Sequence, residues 1–231
     1  MEKLDPDLVL YLDNHLIAVH KPAGLPVQAD DTGDISLFEM TKQYVKEKFN
    51  KPGRVYLGMV HRIDRPVTGL VLFARTDKAA SRLSAMFRDH KLEKTYLAII
   101  ENKPPRENDS LVHYLSRNAK ENRSYAFDRE KPDTKRAELS YNLVRESGRI
   151  YMLEVNPLTG RHHQIRAQLA RMGCPIMGDV KYGASSVMED RSIGLLARRL
   201  SLMHPVQKTP LVINSHLPSG PMWNKFDLRD L

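Results

Sequence analysis

The sequence predicts an α+β fold built on a mixed, largely antiparallel sheet with flanking helices. Most apolar runs are short and β-rich and are bounded by turn residues, as at 16–20, 70–74, 94–100 and 210–214. Three longer segments, 36–49, 77–90 and 159–172, repeat apolar residues at helical spacing. Short turns such as Asp13-Asn14 and Ser147-Gly148 join successive strand-like runs. Short-turned strands with helices set between them make an α+β domain.

From the N-terminus, 8–11 and 16–20 read as two strands turning at Asp13-Asn14. Lys21-Pro22-Ala23-Gly24-Leu25-Pro26-Val27 follows, and two prolines with a glycine make it a stiff loop. In that loop Lys21 reads either as a solvated lysine or as a phosphate contact. Residues 30–33 form another turn. Ser36 caps a helix over 36–49 with Leu37, Met40, Tyr44 and Val45 on one face. Residues 55–60 and 70–74 are strand-like. Thr76 caps a helix over 77–90, whose apolar stripe is Ala79, Ala80, Leu83, Met86 and Phe87. Residues 94–100 are a strand, and 101–109 read as a linker that separates two lobes. Residues 117–136 are polar and mixed in charge, a long loop or loose hairpin whose basic and aromatic residues suit a nucleic-acid strand or merely a solvated surface.

Residues 137–145 and 150–155 form a hairpin. Thr159 caps a helix to about Met172, stopped by Gly173, with Ile165, Leu169 and Met172 buried. His162 and Arg166, four apart, then share another face, an anion-binding arrangement near a helix start. Residues 175–183 are turn-rich, 192–199 short and mixed, and 200–204 and 210–214 strands. Trp223, the only tryptophan, is a packing residue.

Composition bounds the function. The 231 residues suit one large domain or two closely packed lobes. No apolar run approaches the roughly 18 residues of a membrane span, and the N-terminus lacks a signal-peptide pattern. A single cysteine, Cys174, excludes an intrachain disulfide and a cysteine-cluster zinc site, and fits a cytoplasmic protein. The net charge of +8 points to a polyanionic partner, nucleic acid first, or simply to a basic soluble protein. His162 and His163 make a poor zinc pair, because adjacent helical residues point about 100° apart.

The most informative stretch is His61-Arg62-Ile63-Asp64-Arg65-Pro66-Val67-Thr68-Gly69. It sits between two apolar runs, where a scaffold displays chemistry. Asp64 is the only acid between 51 and 76 and lies between Arg62 and Arg65, so its carboxylate accepts charge-assisted hydrogen bonds while ionised. An ordinary ion pair is the alternative on this local pattern. The order H-R-x-D is not the kinase catalytic loop, which places Asp directly after Arg and needs a glycine-rich phosphate loop elsewhere.

This stretch resembles the H-R-L-D-x-x-T-S-G signature of the RluA-type pseudouridine synthases. Three further blocks follow the family's order. His20-Lys21-Pro22-Ala23-Gly24-Leu25 resembles N-K-P-x-G-L, and Glu93-Lys94-Thr95-Tyr96 resembles the K-x-Y block. Thr159-Gly160-Arg161-His162-His163-Gln164-Ile165-Arg166, with Gly178-Asp179 and Tyr182-Gly183, resembles T-G-R-x-H-Q-I-R…G-D…Y-G. The departures are His20 for Asn, Val67-Thr68 for Thr-Ser, and Gln168 where His is common; none touches Asp64, Tyr96 or Arg166. Four ordered blocks over about residues 8–218 are far more specific than one motif.

The resemblance implies the pseudouridine synthase fold, with one catalytic domain over 1–231 whose two lobes flank a central active-site cleft. It implies a short form without a separate N-terminal RNA-binding domain. The activity implied is RNA uridine-to-pseudouridine isomerisation in rRNA or tRNA, which needs no cofactor; with the composition above, no metal and no membrane are expected, and a cytoplasmic monomer is the default. Asp64 is then the essential carboxylate, Tyr96 stacks on the flipped uracil, and Arg166 pairs with Asp64. Arg62 fills the gap left by the base or binds phosphate. His61, Arg65, Lys21, Arg161 and His163 complete the expected RNA contacts, with a structural role for His61 as the alternative. A non-catalytic RNA-binding or ribosome-assembly factor on the same scaffold, and a metal-dependent phosphodiesterase, are the rival readings.

Overall fold

The computed structural model describes residues 3–30 and 33–229. The turn expected over 30–33 includes Asp31 and Thr32, which lie outside the described residues, as do Met1 and Glu2 at the N-terminus. In chain order the elements are β1 (Val9–Leu12), β2 (Leu16–Lys21), α1 (Leu37–Lys48), β3 (Gly58–Met59), β4 (Thr68–Ala74) and α2 (Asp77–Arg88). Next come β5 (Leu92–Ile100), β6 (Asn108–Asn118), β7 (Arg123–Phe127), β8 (Lys135–Ser147), β9 (Ile150–Pro157) and α3 (Gln164–Arg171). The chain ends with β10 (Leu195–Met203) and β11 (Pro210–Asn214). The fold is α+β.

The chain divides into two compact units. The first holds residues 1–93 and 197–216; the second holds 94–196 and 217–231. The break therefore falls at Glu93, not in the linker expected over 101–109, because that segment joins β5 to β6 inside the second unit.

In the first unit β2 pairs antiparallel with β1 and β4, β3 pairs with β4, and β10 pairs with β11. All seven residues of β4 are buried. Leu70 and Leu72 pack with Ala79 and Leu83 of α2, while Phe73 points the other way and meets Phe38 of α1 edge-on at 5.8 Å. A strand covered on both faces has no polar face to alternate with, which explains its continuous apolar run. Ser36 caps α1 through the Glu39 amide and Thr76 caps α2 through the Ala79 amide, both at 3.3 Å. Of the run 55–60, only Gly58–Met59 joins a ladder.

In the second unit the order is β5-β9-β8-β6-β7, with antiparallel pairing throughout. Residues 117–136 are thus mostly hairpin and strand. Within the stretch Ala126 packs on the cluster of Leu115 and Ala137, and the inward Ser124 is itself polar, so the stretch reads as polar. One face of this sheet carries Leu115 and Ala137 against Ala167 of α3 and Tyr182. Leu97, Ile99 and Met152 pack with Leu196, Met222, Trp223 and Phe226, which confirms Trp223 as a packing residue. Cys174 is buried, and burial pushes its thiol up to about 11.

Candidate active site

Asp64 sits in the turn that delivers the chain into β4. The Val67 amide donates to the Asp64 carbonyl at 3.1 Å, and Ile63 and Val67 on either side are buried. The turn is anchored from below by Lys21, the last residue of β2. Its side chain is 0% exposed, and Nζ donates to the carbonyls of Pro22 and Leu25 at 2.9 Å and of Arg65 at 3.0 Å. Lys21 is therefore not a solvated loop lysine, nor does it reach an RNA phosphate from this position. Three backbone acceptors from two loops use its three N–H donors. Burial pushes the Lys21 ammonium down to about 7, opposed by the Asp64 carboxylate, whose charge it feels.

Arg65, also expected to contact RNA, is committed within the chain. Its Nε donates to Gly24 O at 2.8 Å, and its guanidinium pairs with Asp34 and, at 3.4 Å, with Asp30. Gly24 N returns a bond to Arg65 O at 2.9 Å. His61 is half-buried, accepts the Leu72 amide at Nε2 at 2.9 Å, and stacks on Phe87 at 4.7 Å. It thereby ties the motif to β4 and α2, the structural role among its two expected ones. Arg62 is exposed. Gly69 has φ +120°, and a Cβ there would lie 2.7 Å from Ala197 N, so only glycine lets the backbones meet.

The second unit carries Tyr96, Arg161, His163 and Arg166. Tyr96 lies on β5 opposite Val155, which pairs with Tyr141 of β8. Tyr141 is four residues from Ala137, so register puts Tyr96 on the sheet face that carries α3. Lys94, two residues earlier on that face, donates to Thr159 O at 3.2 Å; burial pushes its ammonium down to about 8.

The approach to α3 differs from expectation. Thr159 does not cap it. Its hydroxyl bonds Gln164 Oε1 at 2.7 Å and accepts the Glu138 amide at 2.9 Å, which pins the loop to β8. The helix begins only at Gln164, after His163 in the left-handed region at φ 51°. His162 thus lies outside the helix and shares no helical face with Arg166. His163, expected to touch RNA, is 8% exposed; its Nδ1 is 3.0 Å from the Tyr182 hydroxyl and its ring stacks on His162 at 3.8 Å. Burial first, then the positive charges of Arg166, His162, Lys181 and Arg117, push its imidazole down to about 2. Arg161 is exposed, with Nε donating to Arg136 O at 3.0 Å.

Arg166 is buried on the third helical position. Its Nε and Nη2 donate to the two carboxylate oxygens of Asp179 at 2.7 and 2.8 Å, and Tyr182 presents its ring 5.0 Å from the guanidinium carbon. Tyr182 is fixed in turn by the Ser124 amide, which donates to its hydroxyl at 2.8 Å. A fork-to-fork pair against an aromatic face fixes the guanidinium plane. Asp179 and Tyr182 belong to the fourth motif block, but the sequence marks no task for them. They lie 13 and 16 residues beyond Arg166, past a turn, so no helical spacing marks them. Among the described residues, no three of His, Cys, Asp and Glu gather to hold a metal ion, and no helix is long and apolar enough to cross a membrane.

Comparison with known proteins places these groups in context. A family model described as RNA pseudouridylate synthase matches residues 15–171. A ribosomal large subunit pseudouridine synthase C of Rickettsia bellii is 29% identical over 220 residues, covering 94% of this chain and 71% of the relative. Its counterpart in Rickettsia conorii is 31% identical over 188 residues, covering 81% and 60%. A tRNA pseudouridine synthase C of Vibrio cholerae is 28% identical, covering 90% of each chain. The solved structure of human RNA pseudouridylate synthase domain containing 4 superposes with a TM-score of 0.76 at 22% identity, covering 91% of this chain and 88% of that one.

Proposed function

The chain belongs to the RNA pseudouridylate synthase family, and from that premise we propose that Asp64 is the essential carboxylate of a uridine-to-pseudouridine isomerisation, with Tyr96 and Arg166 as its catalytic companions. The reaction breaks the bond from ribose C1′ to N1 of uracil, turns the base, and forms a bond from C1′ to C5. The C5 proton leaves and N1 gains one, so atoms and electrons balance without an outside reagent. Asp64 either attacks C1′ or removes a ribose proton to give a glycal. Tyr96 stacks on the extruded uracil, returning roughly 1–3 kcal/mol of the unstacking cost. Arg166 supplies the cation, and Arg62 fills the vacated stack or holds a phosphate.

The observation that carries this reading is the turn itself. A half-buried carboxylate stands on a turn fixed by a buried ammonium and by a buried strand. Such a carboxylate is aimed before substrate arrives, which lowers the cost of orientation. The relatives are named for ribosomal and for transfer RNA, so the substrate is proposed to be a uridine in one of these structured RNAs, reached in the cytoplasm by a monomer of two lobes.

The test is tritium release from RNA carrying 5-tritiated uridine. Asp64→Asn abolishes release while near-UV circular dichroism and RNA affinity stay close to wild type. Wild-type-like release from Asp64→Asn removes that residue from its role. RNA binding by the unmodified chain without any release would make it an RNA-binding factor on this scaffold.

A further inference from the structure

We propose that the tip of the β6–β7 hairpin is a seat for an RNA backbone phosphate outside the reacting nucleotide, held by Arg117, Arg123 and Lys181. The inference rests on the RNA-substrate reading above and adds a recognition site to it. Three chain segments meet at this tip. Arg117 of β6 stands opposite Ser124 of β7 in register. Ser124 Oγ donates to His162 O at 2.7 Å and sits 2.9 Å from His162 Nδ1, so the loop before α3 is fastened to the hairpin. Lys181 reaches in from the segment after Asp179, with Nζ 3.2 Å from the carbonyls of Glu121 and Asn122.

Arg123 and Lys181 are ordered here but not neutralised. The Arg123 guanidinium lies between two tyrosine rings, 5.1 Å from the centroids of both Tyr125 and Tyr182, and its buried Nε has no hydrogen-bond partner. Arg117 is exposed and makes no ion pair among the described residues. The carboxylate at the tip, Glu121, is turned to the Tyr125 hydroxyl, and Asp179 is occupied by Arg166. Two arginines and a lysine that form no ion pair among the described residues, with Glu121 turned to a tyrosine and Asp179 held by Arg166, suit a phosphodiester, which accepts from several N–H donors at once. The field shows in the neighbouring His163, whose protonation is opposed by Arg117, Lys181, His162 and Arg166 together. The Tyr125 ring, 38% exposed beside Arg123, leaves a surface on which an adjacent base stacks.

The experiment compares the wild type with Arg117→Gln/Arg123→Gln/Lys181→Gln and with Arg117→Gln alone, which keeps the hairpin packing. A control pair, Lys78→Gln/Lys91→Gln, removes exposed charge elsewhere. The binding probe is fluorescein-labelled oligouridylate titrated from low to high salt. Loss of one phosphate contact lowers the slope of log Kd against log salt by about 0.7. The triple variant is expected to show that drop and a roughly tenfold weaker Kd, Arg117→Gln the same direction, and the control pair neither. An unchanged slope in both hairpin variants, or an equal drop in the control pair, overturns the seat. Tritium release by the wild type is measured in parallel. Its absence would sink the isomerase reading and leave the slope comparison standing on its own.

Discussion

Replacing Asp179 by asparagine tests the account of Arg166 most directly. The pair is bidentate, at 2.7 and 2.8 Å, and its side chains are 5% and 2% exposed. Asparagine keeps the shape and one acceptor oxygen, but sets an NH2 donor against a guanidinium that can only donate. Breaking a buried ion pair from one side costs about 3–5 kcal/mol. For a chain of this size each kcal/mol moves Tm by about 2–4 °C, so a fall of roughly 6–20 °C is expected. Trp223 is the sole tryptophan, 5% exposed and in the same unit, so its emission reports the unfolding of that unit. A second variant, Arg166→Met/Asp179→Leu, removes both charges and regains most of the lost stability, because well-packed apolar replacements of buried pairs are close to neutral. It regains no tritium release. A single variant that melts within 2 °C of wild type, on a scale where about 1 kcal/mol already moves Tm that far, refutes the reasoning. So does a double variant as unstable as the single one.

Three further outcomes follow from the same chemistry. Burial lowers the Lys21 ammonium from its ordinary 10.5 to about 7. Between those values the unfolded chain binds more protons, so unfolding free energy rises with pH, by up to about 1.4 kcal/mol per unit. Lys21→Met flattens that rise in urea unfolding followed by far-UV circular dichroism; parallel wild-type and variant profiles would count against it. His20 and His163 are pushed down to about 4 and about 2, each by burial first, from an ordinary 6.5. Stability is therefore lost as pH falls below about 6.5, and His163→Asn, which tolerates the left-handed backbone, removes part of that acid limb; an unaltered limb assigns it elsewhere. Gly69→Ala forces a side chain into the left-handed region against Ala197 and lowers the stability of the first unit by several kcal/mol. A midpoint in urea equal to wild type would mean the two backbones have room to part.

Local signals made the helices and most strands readable. Ser36 and Thr76 announce α1 and α2 because a hydroxyl before an apolar stripe has one obvious use. The bounds of β11 are legible for a different local reason, an apolar run between the polar Lys208-Thr209 and the polar residues after Asn214. Thr159 carries the capping signal too, yet its hydroxyl serves Gln164 and Glu138, and α3 starts five residues later. The difference is tertiary. Whether a cap-forming side chain caps depends on what else lies within reach, and β8 lies within reach only in the folded chain. Lys21 fails as a loop lysine on the same ground, since its three carbonyls come from Pro22, Leu25 and Arg65, and no window of sequence contains all three.

The side chains that local sequence describes least have a common physical form. Each is a polar or charged group that the fold buries and holds with at least one partner distant in sequence: Lys21 on the Arg65 carbonyl, Arg166 against Asp179 and Tyr182, and His163 against Tyr182. Burying a charge is expensive unless every donor is used, so such a residue persists where holding a group in one orientation outweighs the cost. Both units use this device at the residues proposed for catalysis. In the first, a buried cation grips the backbone that carries a carboxylate. In the second, a buried carboxylate and an aromatic ring grip a guanidinium. The proposed phosphate seat is the converse case. Its Arg123 and Lys181 are ordered by rings and carbonyls but not neutralised by acids, which is what a site kept for an outside anion requires.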